Sequence, residues 1–379
     1  MNNDVVIVGG DHHNTLGVIE SFAEKGIKPY VIVLTDSNVS YVIYSKHIKR
    51  GWVCLSEEEV LSCLCENFAD SSEKVVVIAT NDQTASLIDS YHHNLTPFCY
   101  ISSVEPHGHL ADAMSKEYMS RLARTVGLEV PKTWIVRDTC IPEDISFPII
   151  TKAISSIEGT KANIKVCYNK EQLLSFFSSQ RECHTIQLQT YIDKEYEFQF
   201  IGVSLNGGDD IIIPGRTHID RPKGLDNTFF LRYDKYEEEL EELVVKVKEY
   251  IRHTRYTGLF SIEFLKSKID GKYYFMEMNF RNDGNAICVT ASGVNLPYIL
   301  YLSQIGKDYQ NELEIQGIKR IYLVPEVYYF TCMLSGEVSF KEWWQNMMLA
   351  NCCTTYFKND KRTFMRFIYN AIKKRIKKS

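Results

Sequence analysis

The chain has 379 residues, 45% of them apolar and 24% charged, and its 43 Lys and Arg against 48 Asp and Glu leave a formal net charge of −5. That length is too great for one ordinary core and suits two or three packed subdomains of a globular protein. The small negative charge argues against nucleic acid as a partner, because a duplex binder carries a basic domain. No apolar run reaches transmembrane length, since Pro325 and Glu326 interrupt the stretch Ile321 to Leu334. An odd count of 11 cysteines and a start, Met1-Asn2-Asn3-Asp4, without a basic n-region fit reduced thiols in a cytoplasmic protein.

The first hundred residues alternate strand and helix signals. Val5 to Val8 is a short buried-strand run ending at Gly9-Gly10, and a helix is expected from about Thr15 to Lys25. A strand at Tyr30 to Leu34, a helix at Glu57 to Phe68, a strand at Lys74 to Ala79, a helix at Gln83 to Tyr91 and a strand at Phe98 to Ile101 complete the series. Strands separated by helices predict a parallel sheet with helices on its faces. We expect a small Rossmann-like domain over residues 1–105. The row Gly9-Gly10-Asp11-His12-His13-Asn14-Thr15-Leu16-Gly17 does not match G-x-G-x-x-G. It reads as a tight strand-to-helix turn, or as an anion pocket at a helix N-terminus able to hold a substrate carboxylate.

Beyond residue 105 the texture changes. A helix from about Ser115 to Val126 has Ser115 as its N-cap, and Gly127 and Pro131 stop it. Strand signals follow at Phe147 to Lys152, Ile164 to Tyr168, Thr185 to Gln189, Tyr196 to Val203 and Ile211 to Pro214. Pro214 to Arg221 reads as a loop, with Arg216, His218 and Arg221 as candidate substrate contacts. Leu240, Leu243, Val244, Val247, Tyr250 and Ile251 recur at i, i+3, i+4, i+7 and predict a helix over about Tyr236 to Arg255. Gly258 to Lys266 and Tyr273 to Asn279 read as a hairpin turning at Asp270-Gly271. From Lys358 onward, Lys361, Arg362, Arg366, Lys373, Lys374, Arg375, Lys377 and Lys378 interleave with Phe364, Phe367, Ile368, Ile372 and Ile376. Such a helix either packs on the body or lies on a membrane surface. The pairs His12-His13, His92-His93 and Cys352-Cys353 lack a second pair at ligand spacing and read as structural.

The chemistry concentrates on the hairpin. Glu263 in Phe260-Ser261-Ile262-Glu263-Phe264 and Glu277 in Tyr274-Phe275-Met276-Glu277-Met278-Asn279 lie in apolar strands, where an ionised carboxylate needs a partner. Paired strands can turn both to one face. With the amide oxygen of Asn279 they make a hard-oxygen set that suits Mg²⁺ bound with nucleotide phosphates. Asn279 and Arg281 follow Glu277 at steps of two, on the same side. An Arg beside such a site can stabilise a phosphoryl or tetrahedral transition state.

The string Glu277-x-Asn279-x-Arg281 resembles the signature of the ATP-grasp superfamily, in its branch of carboxylate–amine ligases and carbamoyl-phosphate-synthase-like proteins. The resemblance implies Mg²⁺ ligation by Glu263, Glu277 and Asn279, and a contact of Arg281 with the transferred phosphate or substrate. Lys116 heads the helix before Gly127-Leu128-Glu129-Val130-Pro131, and Lys152 ends the strand of Phe147-Pro148-Ile149-Ile150-Thr151-Lys152. Both match family lysines that contact nucleotide phosphates. The loop Ser155 to Lys161, with Gly159, occupies the place of the phosphate-covering loop; it has one glycine where many relatives have several. Gln189-Thr190-Tyr191-Ile192 looks like the hinge that bonds adenine, although relatives often begin it with Glu. Glu195 matches the ribose-binding acid, with Glu197 as a rival. The P-loop G-x-x-x-x-G-K-[ST] is absent.

The implied fold class is α/β, with α+β character in the catalytic part. The Rossmann-like domain at 1–105 is followed by a two-subdomain ATP-grasp module at 106–310 and by a C-terminal extension at 311–379 with a basic helical tail. The implied enzyme is an ADP-forming ligase that uses ATP and Mg²⁺, with Mn²⁺ as a substitute. Its partners are a small carboxylate, such as an amino acid, and an amine; a homodimer is compatible with the family. Location is expected in the cytoplasm, peripheral to a membrane if the tail engages one. The alternatives are another ATP-grasp chemistry, carboxylation or phosphotransfer, and a nucleotide-binding regulator without turnover.

Overall fold

The structure is a computed structural model that describes residues 3–137, 141–153, 164–179, 185–220, 229–313 and 317–376. It divides into two compact units. Unit 1 comprises Met1–Ala113, Phe198–Ile262 and Met278–Ser379, and unit 2 comprises Met114–Glu197 and Glu263–Glu277.

Unit 1 begins with strands β1 (Val5–Gly9), β2 (Tyr30–Leu34), β3 (Arg50–Cys54), β4 (Val75–Ala79) and β5 (Cys99–Tyr100). They form a five-stranded sheet in the order β3-β2-β1-β4-β5, every pair parallel. Parallel strands are covered on both faces, so they read as continuous β-branched runs. β1 and β4 are buried at every residue. The expected alternation is observed, with helices at His13–Ala23, Glu57–Phe68 and Asp82–Ser90. The edge strand β3 carries Arg50-Gly51-Trp52 on a half-exposed face and has no apolar run to announce it.

Unit 2 contains β6 (Thr133–Arg137), β7 (Ile149–Ala153), β8 (Lys165–Cys167) and β9 (Thr185–Thr190). Their order is β6-β9-β7-β8, all antiparallel. Val136, Ile149, Cys167, Leu173, Phe176, Ile186 and Leu188 form its core, with the helix Lys170–Ser179 contributing Leu173 and Phe176. Antiparallel sheets alternate their faces, which leaves weaker apolar runs in the sequence.

The largest sheet is formed by β10 (Lys194–Leu205), β11 (Asp210–Ile212), β12 (Arg216–Asp220), β13 (Phe230–Asp234), β14 (Gly258–Ser267), β15 (Tyr273–Asn279), β16 (Ile321–Val324) and β17 (Cys352–Cys353). Its order is β15-β14-β10-β12-β13-β16-β17, with β11 on β10. The boundary between the units falls inside β10, β14 and β15. The hairpin β14–β15 turns at Gly271, whose φ of 68° suits a residue without Cβ. The segment expected as a loop at Pro214 to Arg221 is instead largely strand β12, paired with β13 from Arg216↔Asp234 to Asp220↔Phe230. Its polar residues hid it; Arg216 is buried yet ion-paired with Glu237 through Nε at 2.7 Å and Nη2 at 2.6 Å. Arg221 lies outside the described residues.

Among the described residues no helix is long and apolar enough to cross a membrane. The tail forms the helix Lys361–Ile376, with Phe367 edge-on to Tyr41 at 5.0 Å and Phe364 edge-on to Tyr356 at 5.3 Å.

Candidate active site

Unit 2 holds most of the residues expected to meet a nucleotide. Lys116 opens the helix Lys116–Thr125, whose N-cap Ser115 accepts from the Tyr118 N–H at 3.2 Å. Burial pushes the Lys116 ammonium down from its ordinary pKa, and the Glu277 carboxylate acts to raise it again. Glu277, 161 positions from Lys116 by number, therefore lies near enough to act on its charge. Glu263 and Glu277 stand on neighbouring strands, both half-buried.

Lys152 lies on β7, its backbone registered with Gln187 of β9. Gln189 is buried on β9, and its Nε2 donates to Thr133 Oγ1 at 3.3 Å. The Tyr191 N–H donates to the Pro148 carbonyl at 3.0 Å, and half-buried Tyr191 and Ile192 form the turn into β10. Glu195 is exposed, 3.9 Å from Lys266 Nζ, which also stands over the rings of Tyr196 and Tyr273. Glu197 is 3.2 Å from Lys194 Nζ. Gly159 and the loop 155–161 lie outside the described residues.

In unit 1, β15 ends at Asn279 and the chain continues into a polar cluster. Arg281 Nη2 donates to Asn279 Oδ1 at 3.2 Å, Nε to Asp82 Oδ1 at 3.0 Å and Nη1 to the Asn282 carbonyl at 3.1 Å. Asn279 Nδ2 donates to Ser261 Oγ at 3.2 Å, and Ser261 Oγ to Asp283 Oδ2 at 2.8 Å. Asp283 Oδ1 accepts the Asn285 N–H at 2.8 Å. Asp82 and Ser261 escaped the sequence reading, whereas Asp283 lies in the stretch Arg281 to Ala286 that the sequence offers as completing an acceptor pocket.

The turn after β1 belongs to the same unit. A Cβ on Gly9 would lie 1.7 Å from Thr80 Oγ1, so only glycine fits. Asp11 Oδ1 accepts from Ser40 Oγ and from the N–H groups of Tyr41 and Val42, which fastens the turn to the next loop. His12 Nδ1 caps the helix by accepting from the Asn14 N–H. Asn14 Nδ2 donates to the carbonyls of Thr80 at 2.6 Å and Asn282 at 2.7 Å, bringing the turn beside Arg281. Burial, and then the neighbouring His12, push His13 down to about 3, so its ring is neutral near pH 7. Arg281 keeps its positive charge beside it at this pH.

Within unit 2, Glu263 and Glu277 are two half-buried carboxylates on adjacent strands, oxygen ligands of the kind Mg²⁺ takes beside phosphates.

No protein-family model matches the sequence. The D-aspartate ligase of Enterococcus faecium (strain Aus0004) is 20% identical over 269 residues, 63% of this chain. The match covers 61% of that ligase, so the chain spans about three fifths of its relative's length. The L-amino acid ligase from Bacillus licheniformis superposes with a TM-score of 0.65 at 14% identity, over 85% of this chain and 79% of that one. The biotin carboxylase domain of the Hydrogenobacter thermophilus 2-oxoglutarate carboxylase, in complex with MgADP, ADP and bicarbonate, superposes with a TM-score of 0.63 at 17% identity, over 85% and 74% of the two chains. These proteins belong to the ATP-grasp superfamily, and this chain has the ATP-grasp fold. The resemblance read from the hairpin is upheld.

Proposed function

We propose that the chain is an ATP-dependent carboxylate–amine ligase acting through an acyl phosphate. The observation that carries this reading is that Lys116 and Glu277, assigned to one phosphate site by separate motifs, come together in unit 2, both half-buried and the carboxylate near enough to act on the ammonium. The hydrogen bond of Asn279 to Arg281 adds support, as do the relatives named as amino-acid ligases.

In this reading Lys116, Lys152 and the loop around Gly159 bind the phosphates. Gln189, Tyr191 and Ile192 bind adenine, and Glu195 binds ribose. Glu263, Glu277 and Asn279 hold Mg²⁺, or Mn²⁺ in its place; when bound, the ion offsets phosphate charge. Arg281 orients the terminal phosphoryl group. A carboxylate oxygen of the acid forms a bond to the terminal phosphorus as the bond to ADP breaks. The amine nitrogen then attacks the acyl carbon, phosphate leaves, and the amine proton passes to solvent or phosphate. Positioning and electrostatics carry the rate, without an enzyme nucleophile. Residues 106–310 form the catalytic module in this assignment, 1–105 the domain before it and 311–379 an extension.

A second reading, carboxylation, is favoured by the likeness to a domain whose complex holds bicarbonate. One experiment separates the two: phosphate release from MgATP across amino acids, dipeptides, sugar acids and bicarbonate, with Glu277→Gln as control. Release that needs both an acid and an amine, and vanishes in the variant, identifies the ligase. Release that needs bicarbonate moves the assignment to carboxylation, and failure to bind ATP removes both.

A further inference from the structure

Unit 1 contains a cluster that none of the assignments above uses. Glu20 lies on the helix His13–Ala23, His47 in the segment before β3, and Asp360 directly ahead of the helix Lys361–Ile376. One carboxylate oxygen from each acid and one ring nitrogen of His47 all lie within 4.8 Å of one another. Glu20 is 8% exposed and Asp360 1%. Glu20 Oε1, His47 Nε2 and Asp360 Oδ1 are buried atoms without a hydrogen-bond partner. Buried polar atoms of folded proteins are bonded as a rule, and three such orphans on side chains this close together call for a common partner. The other oxygen of Asp360 is engaged: Oδ2 accepts from Ser45 Oγ and from the Lys46 N–H at 3.1 Å, which leaves Oδ1 for another ligand.

We propose that Glu20, His47 and Asp360 bind a divalent transition-metal ion of the zinc class. The chemistry of the donors selects it. A dipositive ion neutralises two carboxylates that otherwise repel each other in the interior. Imidazole nitrogen suits zinc and its neighbours, whereas Mg²⁺ and Ca²⁺ prefer oxygen throughout. Glu20 and His47 also line a cavity of about 480 Å³, bounded further by Tyr356 and Phe357, which leaves room for a water as fourth ligand. Because its ligands come from three distant segments, the ion fastens the C-terminal helix to the first helix and to the loop after β2. Its role is structural.

The test uses the full chain, stripped by chelator and free of nucleotide. Co²⁺ is titrated by visible absorption and Zn²⁺ by calorimetry, in the wild type and in Glu20→Gln, His47→Gln and Glu277→Gln, each checked for native circular dichroism. We expect one ion per chain, a cobalt spectrum without thiolate charge transfer, and a melting temperature that Zn²⁺ raises and Mg²⁺ leaves unchanged. Affinity is expected to fall by roughly 100-fold in Glu20→Gln and His47→Gln and to stay unchanged in Glu277→Gln. Absence of binding by the wild type, binding that survives both ligand substitutions, or a thiolate spectrum pointing to Cys352 and Cys353 would each overturn the assignment. Should a ligand variant fail to fold, the stoichiometry and cobalt spectrum of the wild type decide alone.

Discussion

Arg281 is oriented before any ligand arrives, because Asp82, Asn279 and the Asn282 carbonyl each take one of its donors. A preoriented guanidinium stabilises developing charge without reorganising during the reaction. Arg281→Ala is therefore expected to lower kcat by about 100-fold or more, with the melting temperature little changed. Arg281→Lys recovers only part of this loss, since a single ammonium cannot serve three acceptors in a plane. Equal kcat for wild type and Arg281→Ala, once a substrate pair is known, would remove Arg281 from the reaction. This residue was legible in the sequence because strand geometry turns a two-residue step into a shared side. Its partner Asp82 was not, because it comes from a helix 199 positions away. Glu20 supplies a second prediction at this scale, for the metal-free protein. Its carboxyl is raised to about 8 by burial and by Asp360, with Glu24 adding and Lys46 opposing. The folded state thus holds a proton that the unfolded chain releases near its ordinary 4.5. The resulting stabilisation is complete below pH 4.5 and is lost as pH rises through about 8. Glu20→Gln cannot lose that proton, so its melting temperature should gain on the wild type across this window and then level off. Parallel melting curves in chelator from pH 4 to pH 9 would contradict it.

Elements were legible where their periodicity was strong. β2, β15 and the helix Glu57–Phe68 lie where the sequence placed them, and the amphipathic stretch near Leu240 to Ile251 is the helix Glu241–Thr254. Three missed strands share a cause: β3, β12 and β13 carry Arg, His, Asp and Gly at positions that break an apolar run. Their strand state comes from neighbours in the sheet, which local pattern cannot supply. The C-terminal helix shows the same limit. Phe364 and Phe367 pack on the body, while Met365, Tyr369 and Ile372 are exposed. We propose that this exposed face, flanked by basic residues in the sequence, is the part of the tail that would meet an anionic membrane surface. Tyr369→Ser with Ile372→Ser leaves the packed face intact. We expect wild type to sediment with vesicles containing phosphatidylserine, the double variant to sediment much less, and salt to weaken both. Vesicles that leave the wild type in the supernatant would end this reading.

At the scale of the molecule, the first helix explains why the parallel sheet is only part of a larger unit. Asn14 to Phe22 of the helix His13–Ala23 are buried without interruption, on every side. A helix buried all round needs a second layer opposite its sheet. The residues from 282 to 301 supply that layer. Phe22 meets Tyr301 edge-on at 6.0 Å, Ser21 Oγ bonds Thr290 Oγ1 at 2.9 Å, and Asn295 Nδ2 donates to the Ser21 carbonyl at 2.6 Å. Asn14 Nδ2 donates to the Asn282 carbonyl, and Asn282 Nδ2 donates back to Asn14 Oδ1. None of this was visible in the sequence, where Asn14, Thr15, Glu20 and Ser21 mimic a solvent face. Cutting the chain after Ala113 removes this layer, exposes Phe22 where it met Tyr301, and takes from Ser21 and from Asn14 Oδ1 the partners that residues 282 to 301 supply. The segment Met1–Ala113 expressed alone is therefore expected to bind a hydrophobic dye and to melt without a cooperative transition, although its five-stranded sheet is continuous in sequence. The full chain should bind little dye and melt cooperatively. A fragment that melts sharply and excludes the dye would mean that the sheet and its own helices close a core unaided, and that the layer from 282 to 301 serves the site rather than the fold.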